Sequence, residues 1–170
     1  YQDNSQFFSR WPVPVESFLA IYPEYLLSDT EKQAFINTRT GAVLGRPLAE
    51  AYNLKLGDKI PLIADIWPNK DNVGWEFDLV GIYDVADSSV DSEQMFINFE
   101  FFDEYRQWGQ GTVGTIVVKI NDPDQSAAIA AEIDRLFANS PAETKTTTEK
   151  AYNQMFAKQV GDIGLIMTGI

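Results

Sequence analysis

Short apolar runs broken by Gly or Pro fill most of this sequence, a pattern typical of short strands and short helices. Aromatic side chains are dense in residues 7–27, and three prolines divide that stretch into pieces. We therefore predict a strand over residues 7–13 and one or two helical turns over residues 15–22.

A helix start follows directly after these aromatic residues. The tetrapeptide Ser28-Asp29-Thr30-Glu31 has the spacing of a capping box, with Ser28 as N-cap and Glu31 at the third helical position. The segment predicts a short helix that ends near Thr38 and contacts the core mainly through Phe35.

Glycine and proline then mark three further elements. The apolar run 41–45 is bounded by glycines and predicts a buried strand. Pro47 suits the first turn of a helix over residues 47–52. The dipeptide Gly57-Asp58 is a turn signal between two apolar stretches.

Alternating apolar residues predict one strand on each side of a polar loop at residues 68–74. The first strand carries Ile60, Leu62, Ala64 and Ile66. The second carries Trp75, Phe77 and Leu79, and continues the alternation through either Gly81 or Ile82. Two strands joined in this way predict a β-hairpin.

Beyond an acidic stretch at residues 84–93, the pattern predicts a strand at 95–99 and a helix at 101–108, which Gly109 and Gly111 end. The run from Gly109 to Gly114 matches G-x-G-x-x-G. A nucleotide-binding loop of this pattern follows a strand and opens a helix. Here the order is reversed, so we interpret the run as a connector.

The later part of the chain predicts the order strand, helix, strand, helix. The run 112–120 is dense in β-branched residues, and Asp122 is the expected N-cap of the next helix. Apolar positions of that helix recur on one face: Ile129, Ile133, Leu136 and Phe137. Residues 143–148 predict a second strand and residues 149–159 a second helix. One βαβ unit needs partner strands from elsewhere to cover its sheet.

Composition excludes several kinds of chemistry. The 170 residues contain no His and no Cys, so a Ser-His-Asp or Cys-His catalytic group cannot be built from this chain. Thirteen basic against 25 acidic residues give a net charge of −12. That charge argues against a nucleic-acid partner and against electrostatic docking on anionic lipid. A hydrophobic fraction of 45% indicates a folded chain rather than a disordered one.

The remaining candidate sites are weak. The acidic stretch offers calcium-type ligands, but it lacks the EF-hand spacing, and we favour a solvated loop; its carboxylates are Asp84, Asp87, Asp91 and Glu93. Three lysines are interpreted as surface residues: Lys119, Lys145 and Lys150. Four aromatic residues line either a partner groove or the core: Trp11, Tyr22, Trp67 and Trp108. We assign no catalytic, cofactor-binding or metal-binding residue.

The last eleven residues, 160–170, are mostly apolar and contain three glycines. Two interpretations remain open for them: a strand or loop packed on the core, and the first turns of a transmembrane helix. No run reaches the roughly 18 apolar residues of a spanning helix, and the first residues lack the pattern of a signal peptide.

Three stretches, residues 39–49, 52–62 and 77–83, resemble the periplasmic core domain of MacB-type, FtsX-like ABC transporter permeases. The positions that carry the resemblance are Gly41, Val43, Gly45, Leu48, Gly57, Asp58, Ile60, Phe77, Val80 and Gly81. Residues 158–164 resemble the start of the second membrane helix of such permeases.

The resemblance implies an α+β fold with two lobes. A β-rich inserted lobe with short helices would span residues 1–110. Residues 111–158 would form the βαβ half of a porter-like lobe, and residues 159–170 would lead into a transmembrane helix. The family pattern has a further strand-helix-strand before the position of Tyr1, so we expect the porter-like lobe to be incomplete here. One membrane helix would precede the domain and three would follow it.

The resemblance also implies a function. The segment would face the periplasm from the bacterial inner membrane, without catalytic residues or cofactors. By rigid-body motion it would couple ATP hydrolysis, in a cytoplasmic ABC ATPase subunit or domain, to efflux or other extracytoplasmic work. A second permease copy or paralogue and a periplasmic or outer-membrane protein are the further expected partners. The alternatives are a stand-alone extracytoplasmic binding domain for a peptide or sugar, and an acid-only hydrolase.

Overall fold

Six strands pair into one mixed β-sheet in the computed structural model of the chain. The strands are β1 (Ser9–Val13), β2 (Tyr25–Leu26), β3 (Gly41–Gly45), β4 (Lys59–Leu62), β5 (Trp75–Val85) and β6 (Gln94–Asn98). Their order is β1-β6-β3-β5-β2, and β4 also pairs with β5. The pairs β1–β6 and β3–β5 are parallel, whereas β3–β6, β4–β5 and β2–β5 are antiparallel.

The structure describes residues 8–64, 66–71, 73–155 and 158. Contacts divide the chain into two units, residues 1–116 and residues 117–170. The first unit holds the sheet and four helices: α1 (Val15–Ile21), α2 (Asp29–Asn37), α3 (Arg46–Ala51) and α4 (Phe99–Tyr105). The fold is therefore α+β, as the resemblance implies.

Helices cover both faces of the sheet, so its central strand β3 is buried along its whole length. Ala42 and Leu44 lie in one hydrophobic cluster, with residues of α3 and α4. Val43 points to the opposite cluster, which α1 and α2 complete. Phe35 of α2 is fully buried in this second cluster, as predicted.

A β-bulge in β5 changes the face on which its apolar side chains lie. Ala42 pairs with Leu79, but the next residue of β3, Val43, pairs with Gly81. The extra residue, Val80, shifts the alternation by one position. Ile82 therefore packs against the same cluster as Leu79. Of the two residues that could continue the alternation, Gly81 and Ile82, it is Ile82 that does so.

Most predicted elements of the first unit are confirmed within a residue or two. The predicted strand at residues 7–13 is observed as β1, and Phe7 lies outside the described residues. The predicted hairpin is β4–β5, with Leu62 opposite Trp75. The first hairpin strand is shorter than expected, because beyond Leu62 no residue of β5 lies opposite; Ile66 is 70% exposed.

Helix α4 begins and ends earlier than the predicted 101–108. Its N-cap is Asn98, whose side-chain oxygen accepts a hydrogen bond from the N–H of Phe101 at 3.1 Å. The predicted strand at residues 95–99 correspondingly ends at this cap, as β6. At the other end, Arg106 leaves the helix with extended backbone.

The strands predicted at residues 112–120 and 143–148 are wrong: both segments are irregular in the structure. Ile116 and Val118 are 74% and 59% exposed. β-Branched residues favour strands by packing on neighbouring strands, and among the described residues no strand pairs with either segment. The βαβ arrangement predicted from the sequence is therefore absent from the described residues.

The second unit contains a 3-10 turn (Pro123–Gln125), α5 (Ser126–Phe137) and a helical segment at residues 149–155. Asp122 caps the turn, and Asn139 follows α5 with a φ of 60°. The apolar face of α5 is not packed as predicted, since Leu136 and Phe137 are 64% and 42% exposed.

The end of the predicted helix at residue 159 and the apolar tail at residues 160–170 lie outside the described residues. Within the described part of the chain, the helices are too short or too polar for any of them to cross a bilayer.

Candidate functional site

The motif glycines lie where backbone or side chains approach too closely for a Cβ atom. At Gly45, a Cβ would stand 1.7 Å from the carbonyl oxygen of Ser92. At Gly81, it would meet side-chain atoms of Leu27 and Val43 at 2.9 Å. Gly41 has a similar contact, 2.7 Å, with the carbonyl oxygen of Thr38. These glycines let neighbouring segments pack directly on β3 and β5.

The apolar motif residues form the core around those glycines. Val43 and Ile60 are fully buried and Phe77 is 1% exposed, while Leu48 is buried and Val80 is half-buried. They come from α3, β3, β4 and β5, and they divide between the two faces of the sheet. The resemblance thus rests on residues that hold the first unit together.

The turn at Gly57-Asp58 binds the backbone groups of β5 at Leu79, just beyond the part of β5 that pairs with β4. Gly57 has a φ of +90°, in the left-handed region that favours glycine. Its N–H donates to the carbonyl of Leu79 at 2.8 Å, and the N–H of Leu79 donates to the carbonyl of Asp58 at 2.9 Å. The Asp58 carboxylate accepts from the N–H of Lys55 at 2.7 Å, which holds the turn in place.

Glu31 closes the predicted capping box and also contacts the sheet. One carboxylate oxygen accepts from the N–H and the hydroxyl of Ser28, at 2.9 and 2.6 Å. The other accepts from the backbone N–H of Ile82 at 3.0 Å. Burial raises the pKa of Glu31, but the hydrogen bonds from Ile82 and Ser28 outweigh it, so the pKa is lowered overall.

Two groups of charged side chains join neighbouring elements across the sheet. The Arg46 guanidinium binds the Asp84 carboxylate through two hydrogen bonds, of 2.6 and 2.7 Å, which lowers the pKa of Asp84. Lys59 lies 2.7 Å from the Asp78 carboxylate, which also accepts the Thr40 hydroxyl. These two contacts lower the pKa of Asp78.

The acidic stretch is engaged in local hydrogen bonds. Asp84 belongs to β5, and Asp87 accepts from the N–H of Ser89 at 2.8 Å. Asp91 accepts from the N–H of Glu93 and the side chain of Gln94, at 2.8 and 2.7 Å. Across residues 8–64, 66–71, 73–155 and 158, no three carboxylates gather into a group that could hold a metal ion.

Most aromatic residues of the first unit line the core rather than a cleft. Phe18, Tyr25, Tyr83 and Phe96 contact one another, with ring centroids 4.4 to 5.6 Å apart. Trp11 and Trp108 are 42% and 49% exposed, whereas Tyr22 and Trp67 are half-buried. The three candidate lysines, residues 119, 145 and 150, are exposed as predicted.

Arg106 is a buried charged residue that no motif or spacing in the sequence indicates. It is 3% exposed, and its guanidinium donates to the Asp103 carboxylate and to the carbonyl oxygen of Thr112, the latter at 2.8 Å. The G-x-G-x-x-G run follows it, with Gly109 and Gly111 at φ values of +79° and +72°. The run connects α4 to the segment after it, as predicted. No feature of the sequence indicates that it lies beside a buried cation.

A family model described as the MacB-like periplasmic core domain matches residues 9–136, which is more than half of the chain. The matched range runs from β1 into α5 and includes all of the motif positions. No curated protein matches the chain.

Proposed function

The chain belongs to the family of MacB-like periplasmic core domains, and from that premise we propose that it couples ATP hydrolysis in the cytoplasm to work outside the bacterial inner membrane. It does so as a non-catalytic, periplasm-facing domain of an ABC transporter permease. The family match over residues 9–136 is the observation that carries this proposal.

The build of the first unit supports transmission of motion as a rigid body. Its sheet is packed on both faces, and the motif glycines bring backbone segments into direct contact. Glu31, Arg46 and Lys59 tie helices or edge strands to β5 through side-chain hydrogen bonds or ion pairs. Close-packed units of this kind move as bodies and do not deform continuously.

Three carboxylates with lowered pKa values stabilise contacts between segments of the first unit. Glu31, Asp78 and Asp84 each accept hydrogen bonds from groups on neighbouring elements. Their ionised forms are stabilised, whereas a general acid at neutral pH needs a raised pKa. This favours a mechanical role over the acid-only hydrolase.

The residues after α4 carry apolar side chains that the described part of the chain does not cover. We assign residues 111–158 to one half of a porter-like lobe and residues 159–170 to the start of a transmembrane helix. The described residues from 117 onward contain no buried side chain, although Val118, Leu136 and Phe137 are apolar. Exposed apolar surfaces of this kind are typical of interaction sites, and strands supplied from elsewhere in the transporter would bury them.

The partners follow from this assignment: a cytoplasmic ABC ATPase subunit or domain, a second copy of the permease or a paralogue, and a periplasmic or outer-membrane protein.

Affinity purification of the tagged parent protein from host membranes tests the proposal. We expect an ABC-type nucleotide-binding subunit or fused domain in the purified complex, with ATPase activity that the isolated 170-residue chain lacks. A parent protein recovered from the soluble fraction, or from membranes without any nucleotide-binding component, would contradict it.

A further inference from the structure

Arg106 connects two loops of the first unit that are far apart in sequence. We define the hairpin loop as residues 67–71, between β4 and β5, and the exit segment as residues 106–112, after α4. We propose that these two loops open and close together as one cooperative unit, with Arg106 as the shared contact. The inference goes beyond the proposed function and concerns contacts within the first unit alone.

The exit segment is fastened to the last turn of α4. Both carboxylate oxygens of Asp103 lie 3.0 Å from the N–H of Gly111, which donates to them. The same carboxylate accepts from the Arg106 guanidinium, which donates in turn to the Thr112 carbonyl oxygen at 2.8 Å. The Gln110 side chain donates to the backbone carbonyl of Arg106. The exit segment therefore keeps its position only while Arg106 and Asp103 keep theirs.

The hairpin loop contacts the same guanidinium through Trp67. The Arg106 cation lies over the Trp67 ring, 5.1 Å from its centroid, and the Trp67 ring lies against that of Trp108, with centroids 4.1 Å apart and a tilt of 32° between the planes. Two backbone hydrogen bonds hold the hairpin loop beside Arg106. The N–H of Lys70 donates to the carbonyl of Tyr105, the last residue of α4, at 2.7 Å, and the N–H of Gln107 in the exit segment donates to the carbonyl of Pro68 at 2.9 Å. The hairpin loop thus forms one wall of the site that holds Arg106.

The buried charge is the reason to expect cooperation. A buried guanidinium is costly unless hydrogen bonds and neighbouring groups compensate it. Within the described part of the structure, the Nε atom of Arg106 is buried without a hydrogen-bond partner. The cation therefore depends both on its hydrogen bonds to Asp103 and Thr112 and on the aromatic rings of Trp67 and Phe102 beside it. Losing either set of contacts leaves Arg106 less firmly held, and this weakens the other set as well.

Native-state hydrogen exchange of the 170-residue chain tests the inference without a mutation. If the loops open together, the amides of Lys70, Gln107 and Gly111 exchange with the same opening free energy and the same dependence on denaturant. The amide of Ile82 in the sheet is the reference and should exchange more slowly. Different opening free energies or denaturant slopes for Lys70 and Gly111 would overturn the proposal.

Two substitutions test the coupling in both directions. Trp67→Leu should accelerate exchange at Gly111 at least tenfold, although the two residues share no hydrogen bond, whereas Trp11→Leu, at an exposed indole, should not. Asp103→Asn should weaken the exciton-coupled circular-dichroism signal of the neighbouring Trp67 and Trp108 indoles. If Trp67→Leu does not fold, Trp67→Phe serves in the same comparison. Unchanged exchange at Gly111 in the folded Trp67 variant, or an unchanged indole signal in Asp103→Asn, would overturn the proposal.

Discussion

The carboxylate of Glu31 accepts a hydrogen bond from the backbone N–H of Ile82 at 3.0 Å, across 51 positions of sequence. The contact fills a gap along β5, where β4 pairs only as far as Asp78 and β2 begins opposite Asp84. Glu31 also completes the capping box with Ser28. One side chain therefore starts α2 and fastens it to the sheet.

This contact makes the stability of the first unit depend on pH. The pKa of Glu31 is lower in the folded chain than in the unfolded chain, so its contribution is present above the unfolded value, about 4.3, and is lost as pH falls through the folded value. We expect Glu31→Gln to lower the free energy of unfolding at pH 7 by about 1–2 kcal/mol, since it weakens charge-assisted hydrogen bonds of a half-exposed group.

Urea unfolding at pH 7 and at acid pH measures this difference. The gap between wild type and Glu31→Gln should shrink as the pH falls below the unfolded pKa. Glu93→Gln, at an exposed position, is the matched control and should behave as wild type. An equal gap at both pH values would show that the charge of Glu31 is not what stabilises the contact.

Gly45 has no room for a side chain, because a Cβ would stand 1.7 Å from the Ser92 carbonyl oxygen. We expect Gly45→Ala to lower the free energy of unfolding by about 3 kcal/mol, as overpacking against backbone does. Gly114→Ala is the control: nothing lies within 4 Å of its Cβ position, and its effect should stay within about 0.5 kcal/mol. Equal effects of the two substitutions would contradict the packing argument.

A matched pair of valines tests where the core lies. Val43 is fully buried in β3, so Val43→Asp places an unpaired charge in the core and should unfold the first unit. Val118 is 59% exposed, and Val118→Asp should leave the melting temperature of the isolated chain unchanged. Circular-dichroism melts compare the two. A folded Val43→Asp variant would show that the sheet is misplaced.

The same Val118→Asp substitution tests the proposed porter-like lobe in the parent transporter. If strands from elsewhere cover residues 113–118, the charge should impair assembly or transport there, while the isolated chain tolerates it. Assembly is measured by gel filtration of the purified complex. Normal assembly and activity of the parent variant would argue that no other strands bury residues 113–118.

The tail provides a further test of the proposed organisation. If residues 159–170 lead into a membrane helix, deletion of residues 163–170 should change the melting temperature of the isolated chain by less than about 2 °C, since effects away from the core are small. A loss of several degrees would favour the other interpretation, a tail packed on the core.

Local chemistry made the first unit predictable. Ser28 and Glu31 mark the start of α2, Gly57 marks a turn, and alternation marks the β4–β5 hairpin, all of which depend on neighbours in sequence. The bulge at Val80 could not be predicted, because only the pairing of β5 with β3 decides whether Gly81 or Ile82 continues the alternation.

Contacts between distant residues were beyond such reasoning. Nothing near Arg106 in sequence indicates that Trp67 will pack against it, and nothing near Glu31 indicates that it will bind the N–H of Ile82. The strand predicted at residues 112–120 was wrong because local propensity alone decided that prediction. A strong β-propensity produces no strand without a neighbouring strand to pair with.

The central claim, that this domain faces the periplasm from the inner membrane, is tested most directly by labelling a single cysteine in intact cells. The chain has no cysteine, and Ser88 lies exposed between β5 and β6, so Ser88→Cys adds one accessible thiol. It is introduced into the full-length parent protein after replacement of any other cysteines. We predict that a membrane-impermeant maleimide labels this thiol in cells whose inner membrane is intact. Labelling only after that membrane is broken would contradict the account.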